Sequence, residues 1–158
     1  MTRIGATGHQ ELPVEAGPYI LEHVRGILSG CSAPLRAVTA LAAGADQLVA
    51  REVLRNGGSL YAIVPAVGYE GTFTGEDLRE YEYLLAQADQ LTRLDFPEPS
   101  EHAYWAAGKT MVDNCDVLVA IWDGEPARGL GGTGDVVAYA ETSSKDVRVI
   151  WPDGVVRE

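Results

Sequence analysis

Short apolar runs alternate along the chain with segments whose apolar residues recur every three or four positions. The runs suit strands and the spaced segments suit amphipathic helices, so their alternation predicts βαβ units and a mainly parallel sheet. Strands are expected at Arg3–Thr7, Arg36–Leu41, Leu60–Val64, Gln90–Leu94, Val117–Trp122 and Val147–Trp151. Val117–Trp122 is apolar throughout, as a strand covered on both faces should be. A helix is expected from Gly17 to Leu28, where Ile20, Val24, Ile27 and Leu28 share a face and Pro18 sits in the tolerant first turn. A second runs from Ala43 to Arg55 and ends at Asn56-Gly57-Gly58. Pro65 should stop the third strand. After an aromatic-rich loop, Thr74-Gly75-Glu76-Asp77 resembles a capping box and opens a third helix. Two more are expected, from Glu101 to about Asn114 and from Thr133 to Thr142. The expected architecture is a single α/β domain over residues 1–158, a three-layer, doubly wound, mainly parallel sheet of roughly five to seven strands with helices on both faces.

Charge narrows the classes of partner. The 158 residues include 12 Lys and Arg against 23 Asp and Glu, a formal charge of −11. That surplus of acid argues against nucleic acid and against anionic membranes as partners. No run approaches the ~18 apolar residues of a membrane span, and Met1-Thr2-Arg3-Ile4 leads into strand one without a signal-peptide core. A cytoplasmic protein is expected. Cys31 and Cys115 adjoin apolar runs and form no CxxC, which reads as two buried, reduced thiols. His9, His23 and His102 have no zinc-like spacing, so no metal is expected, and no cofactor.

In an open parallel sheet, ligands bind beyond the carboxyl ends of the strands, so the residues just after each strand carry the candidate chemistry. Gly8 and His9 follow strand one, and Gly44, Ala45 and Asp46 follow strand two. Asp123, Gly124 and then Arg128 to Asp135 follow strand five. In that last turn Gly129, Gly131, Gly132 and Gly134 let backbone approach a ligand, and the next helix points free N–H groups at the same place. Either this is an anion hole or it is a surface turn with a helix cap; the position after the most apolar strand favours the anion hole. Thr133 either caps the helix or donates to a phosphate. Asp123 suits ribose hydroxyls or a turn cap, and Arg128 suits a phosphate or a surface ion pair. His9 suits ligand contact or a structural bond. The backbone at Gly44 and Ala45 reads as functional, whereas Asp46 reads as a complement to the helix dipole. Lys109 and Asp113 read as an exposed i,i+4 ion pair. Tyr69, Phe73, Tyr81 and Tyr104 wall a pocket or fill the core. The chain has no GxGxxG after strand one, no Walker A pattern and no GxSxG.

The ordered set Gly5-Ala6-Thr7-Gly8-His9, Leu41 to Asp46, Val64-Pro65, Asp113 to Asp116, and Trp122-Asp123-Gly124 running into Gly131 to Asp135 resembles the SLOG superfamily. That superfamily of Rossmann-like domains is named for the Smf/DprA proteins and the Lonely Guy enzymes. The resemblance spans almost the whole chain and is closest to small stand-alone bacterial members. It implies a nucleotide-like small molecule held by these turns, in a binding or sensing role, and a homo-oligomer, commonly a dimer. Lonely Guy enzymes instead cleave the N-glycosidic bond of nucleoside 5'-monophosphates, and carry PGGxGTxxE. Here Leu130 replaces the Pro, Val136 stands where the Glu is expected, and Asp135 comes one residue early. On a helix that shift is a rotation of about 100°. If the chain is such a hydrolase, Asp135 and Arg128 are its candidate catalytic pair.

Overall fold

The structure is a computed structural model, and it describes residues 1–126 and 129–155. The strands are β1 (Thr2–Gly8), β2 (Leu35–Thr39), β3 (Ser59–Ala66), β4 (Gln90–Phe96), β5 (Val117–Ile121) and β6 (Asp146–Ile150). Between them lie helices α1 (Gly17–Ser29), α2 (Ala45–Arg55), α3 (Gly75–Gln87), α4 (Glu101–Asp113) and α5 (Thr133–Thr142). All six strands are parallel, in the order β4-β3-β2-β1-β5-β6. The chain winds outward from β1 to β4, then crosses back to β5 on the other side of β1. That reversal puts a topological switch point between the carboxyl ends of β1 and β5.

Alternate residues of the inner strands feed two cores. Ile4, Ala6, Val117, Val119 and Ile121 pack under α1, α2 and α3. Val38, Leu118 and Ala120 pack under α4 and α5 with Met111, Val112 and Val136. The arrangement is the three-layer α/β fold that the alternation of runs predicts.

Departures from the sequence expectation are local. β2 ends at Thr39, because Leu41 takes a left-handed φ of 59° that no strand continues. Pro65 does not stop β3. The strand runs on to Ala66, and its register with β4 shifts between Val64 and Ala66, where Pro65 has no N–H to give. Thr74 does precede α3, but its side chain makes no cap hydrogen bond, and Glu76 pairs with Arg79 instead. Cys115 is fully buried and its thiol is pushed up to about 11 by burial, whereas Cys31 is only half-buried. Lys109 and Asp113 form no ion pair. Lys109 Nζ lies over the Trp105 ring at 5.1 Å, and Asp113 accepts from Tyr139 Oη at 2.7 Å.

Candidate functional site

A cavity of about 650 Å³ opens at the carboxyl ends of the strands. Its floor is the end of β1, from Ala6 to Gly8. One wall is the turn from β2 into α2, at Ala42, Ala43 and Asp46, backed by Tyr69 and Phe73. The opposite wall joins Tyr104, Ala107 and Met111 of α4 to Gly131, Gly132, Thr133, Gly134 and Val136.

The glycine turn before α5 brings backbone to this cavity. Gly132 is the N-cap residue, so Thr133 and Gly134 occupy the first helical turn, where N–H groups have no intrahelical acceptor. Neither amide has a hydrogen-bond partner among the described residues. Thr133 does not cap the helix, and its side of the turn lines the cavity. Gly131 takes a φ of +81°, and any Cβ there would press on Trp105 N at 2.7 Å, so the turn lies flat against the start of α4. Asp135 faces elsewhere. Its Oδ2 accepts the Gly131 N–H at 3.0 Å, and the residue does not line the cavity. Val136, one position on, occupies the cavity wall in its place.

At the other wall the backbone is already engaged. Gly44 has a φ of +78°, and a Cβ on it would meet the carbonyl oxygens of His9, at 2.5 Å, and Gln10. Ala45 N–H donates to His9 O at 3.1 Å, and Ala45 is fully buried. Neither Gly44 nor Ala45 lines the cavity. The side chain that does is Asp46, which the sequence reading set aside as a dipole complement. It is buried and accepts the Ala42 N–H at 3.3 Å and the Thr39 hydroxyl. Thr39 Oγ in turn accepts the Leu41 N–H at 3.0 Å, which turns its hydrogen toward Asp46. Burial outweighs these bonds and pushes the Asp46 carboxyl up to about 7. The nearby Tyr69 hydroxyl is raised well above its ordinary value by burial, and further by the Asp46 charge. An acid in the first helical turn was visible in the sequence; that α2 buries it against the cavity was not.

His9 and Asp123 meet behind the cavity. His9 Nε2 is 3.1 Å from Asp123 N and 3.2 Å from Asp123 Oδ1, and the His9 ring stands edge-on to Trp151 at 5.2 Å. These contacts tie the ends of β1, β5 and β6 together. Asp123 Oδ1 also accepts the Glu125 N–H, which is the turn-capping role. Asp123 and Gly124 do not line the cavity, whereas Gly8 and His9 do. Arg128 lies outside the described residues. Among the described lining residues the charged side chains are Asp46, Asp77 and Glu101, all acids. Tyr69, Phe73 and Tyr104 contribute to the walls, while Tyr81 is core and stacks on Phe73 at 4.4 Å.

Solved structures share this fold. DprA from Streptococcus pneumoniae superposes with a TM-score of 0.68 at 15% identity over 98% of this chain. DprA from Helicobacter pylori gives 0.66 at 14% identity over 94%. TM1055, a structural-genomics target, gives 0.58 at 18% identity over 93%. The chain shares the Rossmann-like fold of these proteins. It spans 72% of the TM1055 chain, but only 52% and 64% of the two DprA chains. No protein-family model and no curated protein matches the sequence. One expectation falls here. The acidic charge was read as arguing against nucleic acid, yet the Helicobacter pylori DprA, which has a similar fold, binds single-stranded DNA. Net charge is a sum over the whole surface, whereas binding depends on the local field of one groove. Among the described residues, no helix is long and apolar enough to cross a membrane, and no group of His, Cys, Asp or Glu could hold a metal ion.

Proposed function

We propose that this SLOG-like domain binds a nucleotide-derived small molecule, as a sensor or binding protein. The observation that carries the reading is the cavity at the switch point, into which the first turn of α5 presents Thr133 and Gly134 with open amides. Such amides and the helix dipole suit a phosphate. The phosphate sits at that turn, with Arg128 as its candidate cation, and the rest of the ligand extends across β1 toward Asp46, Tyr69 and Phe73. Three acids on the described lining disfavour a polyphosphate and favour a single phosphate attached to groups that donate hydrogen bonds. Binding is favoured over N-glycosidic hydrolysis because Val136 holds the wall position and the Asp135 carboxylate is engaged by Gly131.

A thermal-shift panel of AMP, other nucleoside monophosphates, ADP-ribose, cyclic nucleotides and a single-stranded oligonucleotide tests this, with product analysis of every hit. A ligand at 100 times its Kd should stabilise the fold by roughly 2.7 kcal/mol, or a few degrees. A nucleotide-dependent shift without turnover supports the reading. Release of free base would make the protein a hydrolase, and a shift with the oligonucleotide alone would replace the small-molecule reading.

A further inference from the structure

The cavity holds one buried acid that the phosphate-binding turn does not explain. Asp46 lies on the β2 side of β1, and the open amides lie on the β5 side. Neighbouring strands are about 4.8 Å apart, so the two flank a span of roughly 10 Å, about the reach from the phosphate to the base of a nucleoside monophosphate. Tyr69 lies near Asp46, and with Phe73, whose ring meets it edge to face, it gives that part of the cavity an aromatic wall against which a base can pack. Two donors already hold the carboxyl, the Thr39 hydroxyl and the Ala42 N–H, leaving acceptor positions on a group that lines the cavity.

We propose that Asp46 is the specificity-determining residue of the cavity: its carboxylate accepts a hydrogen bond from the exocyclic amino group of a base and disfavours a base that presents a carbonyl there. The inference rests on the nucleotide-binding reading and adds the class of base. A carbonyl oxygen facing the carboxylate sets two acceptors against each other, whereas an amino group completes a charge-assisted bond. A bond to a charged group contributes enough to separate the two ligands by about 10-fold or more.

The test compares AMP with purine riboside 5'-monophosphate, which lacks the amino group and keeps N1 as an acceptor, and with IMP, which puts a carbonyl at that position and a hydrogen on N1; ribose 5-phosphate is the control without a base. Wild type and D46N are titrated calorimetrically. In D46N the amide oxygen stays with the Ala42 N–H and the NH2 turns into the cavity, so a donor replaces an acceptor. Wild type should bind AMP about 10-fold or more tighter than purine riboside 5'-monophosphate, with IMP also the weaker ligand, and D46N should lose or reverse the preference for AMP. Ribose 5-phosphate should bind both proteins equally. The wild-type preference for AMP should also weaken below about pH 7, as Asp46 takes up its proton, and the D46N profile should lack this step. The other titratable groups on the cavity, His9, Tyr69, Asp77, Glu101 and Tyr104, are common to both proteins, so the difference between the profiles reports Asp46. Equal affinity of wild type for AMP and purine riboside 5'-monophosphate, or a preference that survives in D46N, would overturn the inference while ribose 5-phosphate binding upholds the site. Failure of every one of these ligands to bind wild type would overturn the nucleotide reading and this inference with it.

Discussion

The turns that open α2 and α5 look alike in sequence and do opposite things. Both follow an inner strand, both are rich in Gly and Ala, and both place an aspartate in the first helical turn. At α2 the backbone is taken up by packing: Gly44 lies on the His9 and Gln10 carbonyls and Ala45 N–H donates to His9. What remains for the cavity is a side chain, Asp46. At α5 the side chain is taken up, because Asp135 accepts the Gly131 N–H. What remains is backbone, at Thr133 and Gly134. A Gly-rich turn therefore marks a place where backbone comes close to something, and only the neighbours decide whether that something is protein or ligand.

The largest effect that would sharpen this contrast is Gly44→Ala. The new methyl would meet two carbonyls from a backbone at φ +78°, so we expect roughly 4 kcal/mol of lost stability or failure to fold. Chemical denaturation measures it; a near-neutral result would mean that the two turns are not tightly docked.

Next in size is the pH dependence carried by Asp46. Its carboxyl is raised from 3.8 to about 7 in the folded chain. Between those values the unfolded chain has released this proton and the folded chain has kept it, so Asp46 lowers stability as pH rises and its effect levels off above about 7. At ~1.36 kcal/mol per unit the upper bound is about 4 kcal/mol. D46N cannot ionise, and should be about 1–4 kcal/mol more stable than wild type at pH 8, with the gap closing toward pH 4. Parallel urea titrations at the two pH values check the sign.

At the α5 turn the corresponding change should spare the fold and remove the ligand. Gly132 has a φ of −69°, which a branched residue tolerates. Gly132→Val should leave the melting temperature nearly unchanged while weakening nucleotide binding by at least ~10-fold, or 1.4 kcal/mol. Retained affinity would remove this turn from the site. The smallest effect concerns α4. A double-mutant cycle between Lys109 and Trp105 should give a coupling of about 0.5 kcal/mol, and one between Lys109 and Asp113 close to zero.

Much of the fold was legible because strands and helices have different hydrophobic periods, and those periods come from backbone geometry within each element. The order of runs predicted the strand and helix segments that are observed and a mainly parallel sheet, and it pointed to the β1, β2 and β5 turns as the candidate site. The tertiary structure alone decided which polar atoms in those turns remain available. Pro65 falls beside β4 in an inner strand, so it distorts a ladder instead of ending one. His9 finds Asp123 across 114 residues of chain, and Tyr69, from beyond β3, comes close to Asp46. A donor or acceptor is free only after every non-local neighbour has taken its partner, and no period within a single element records that outcome.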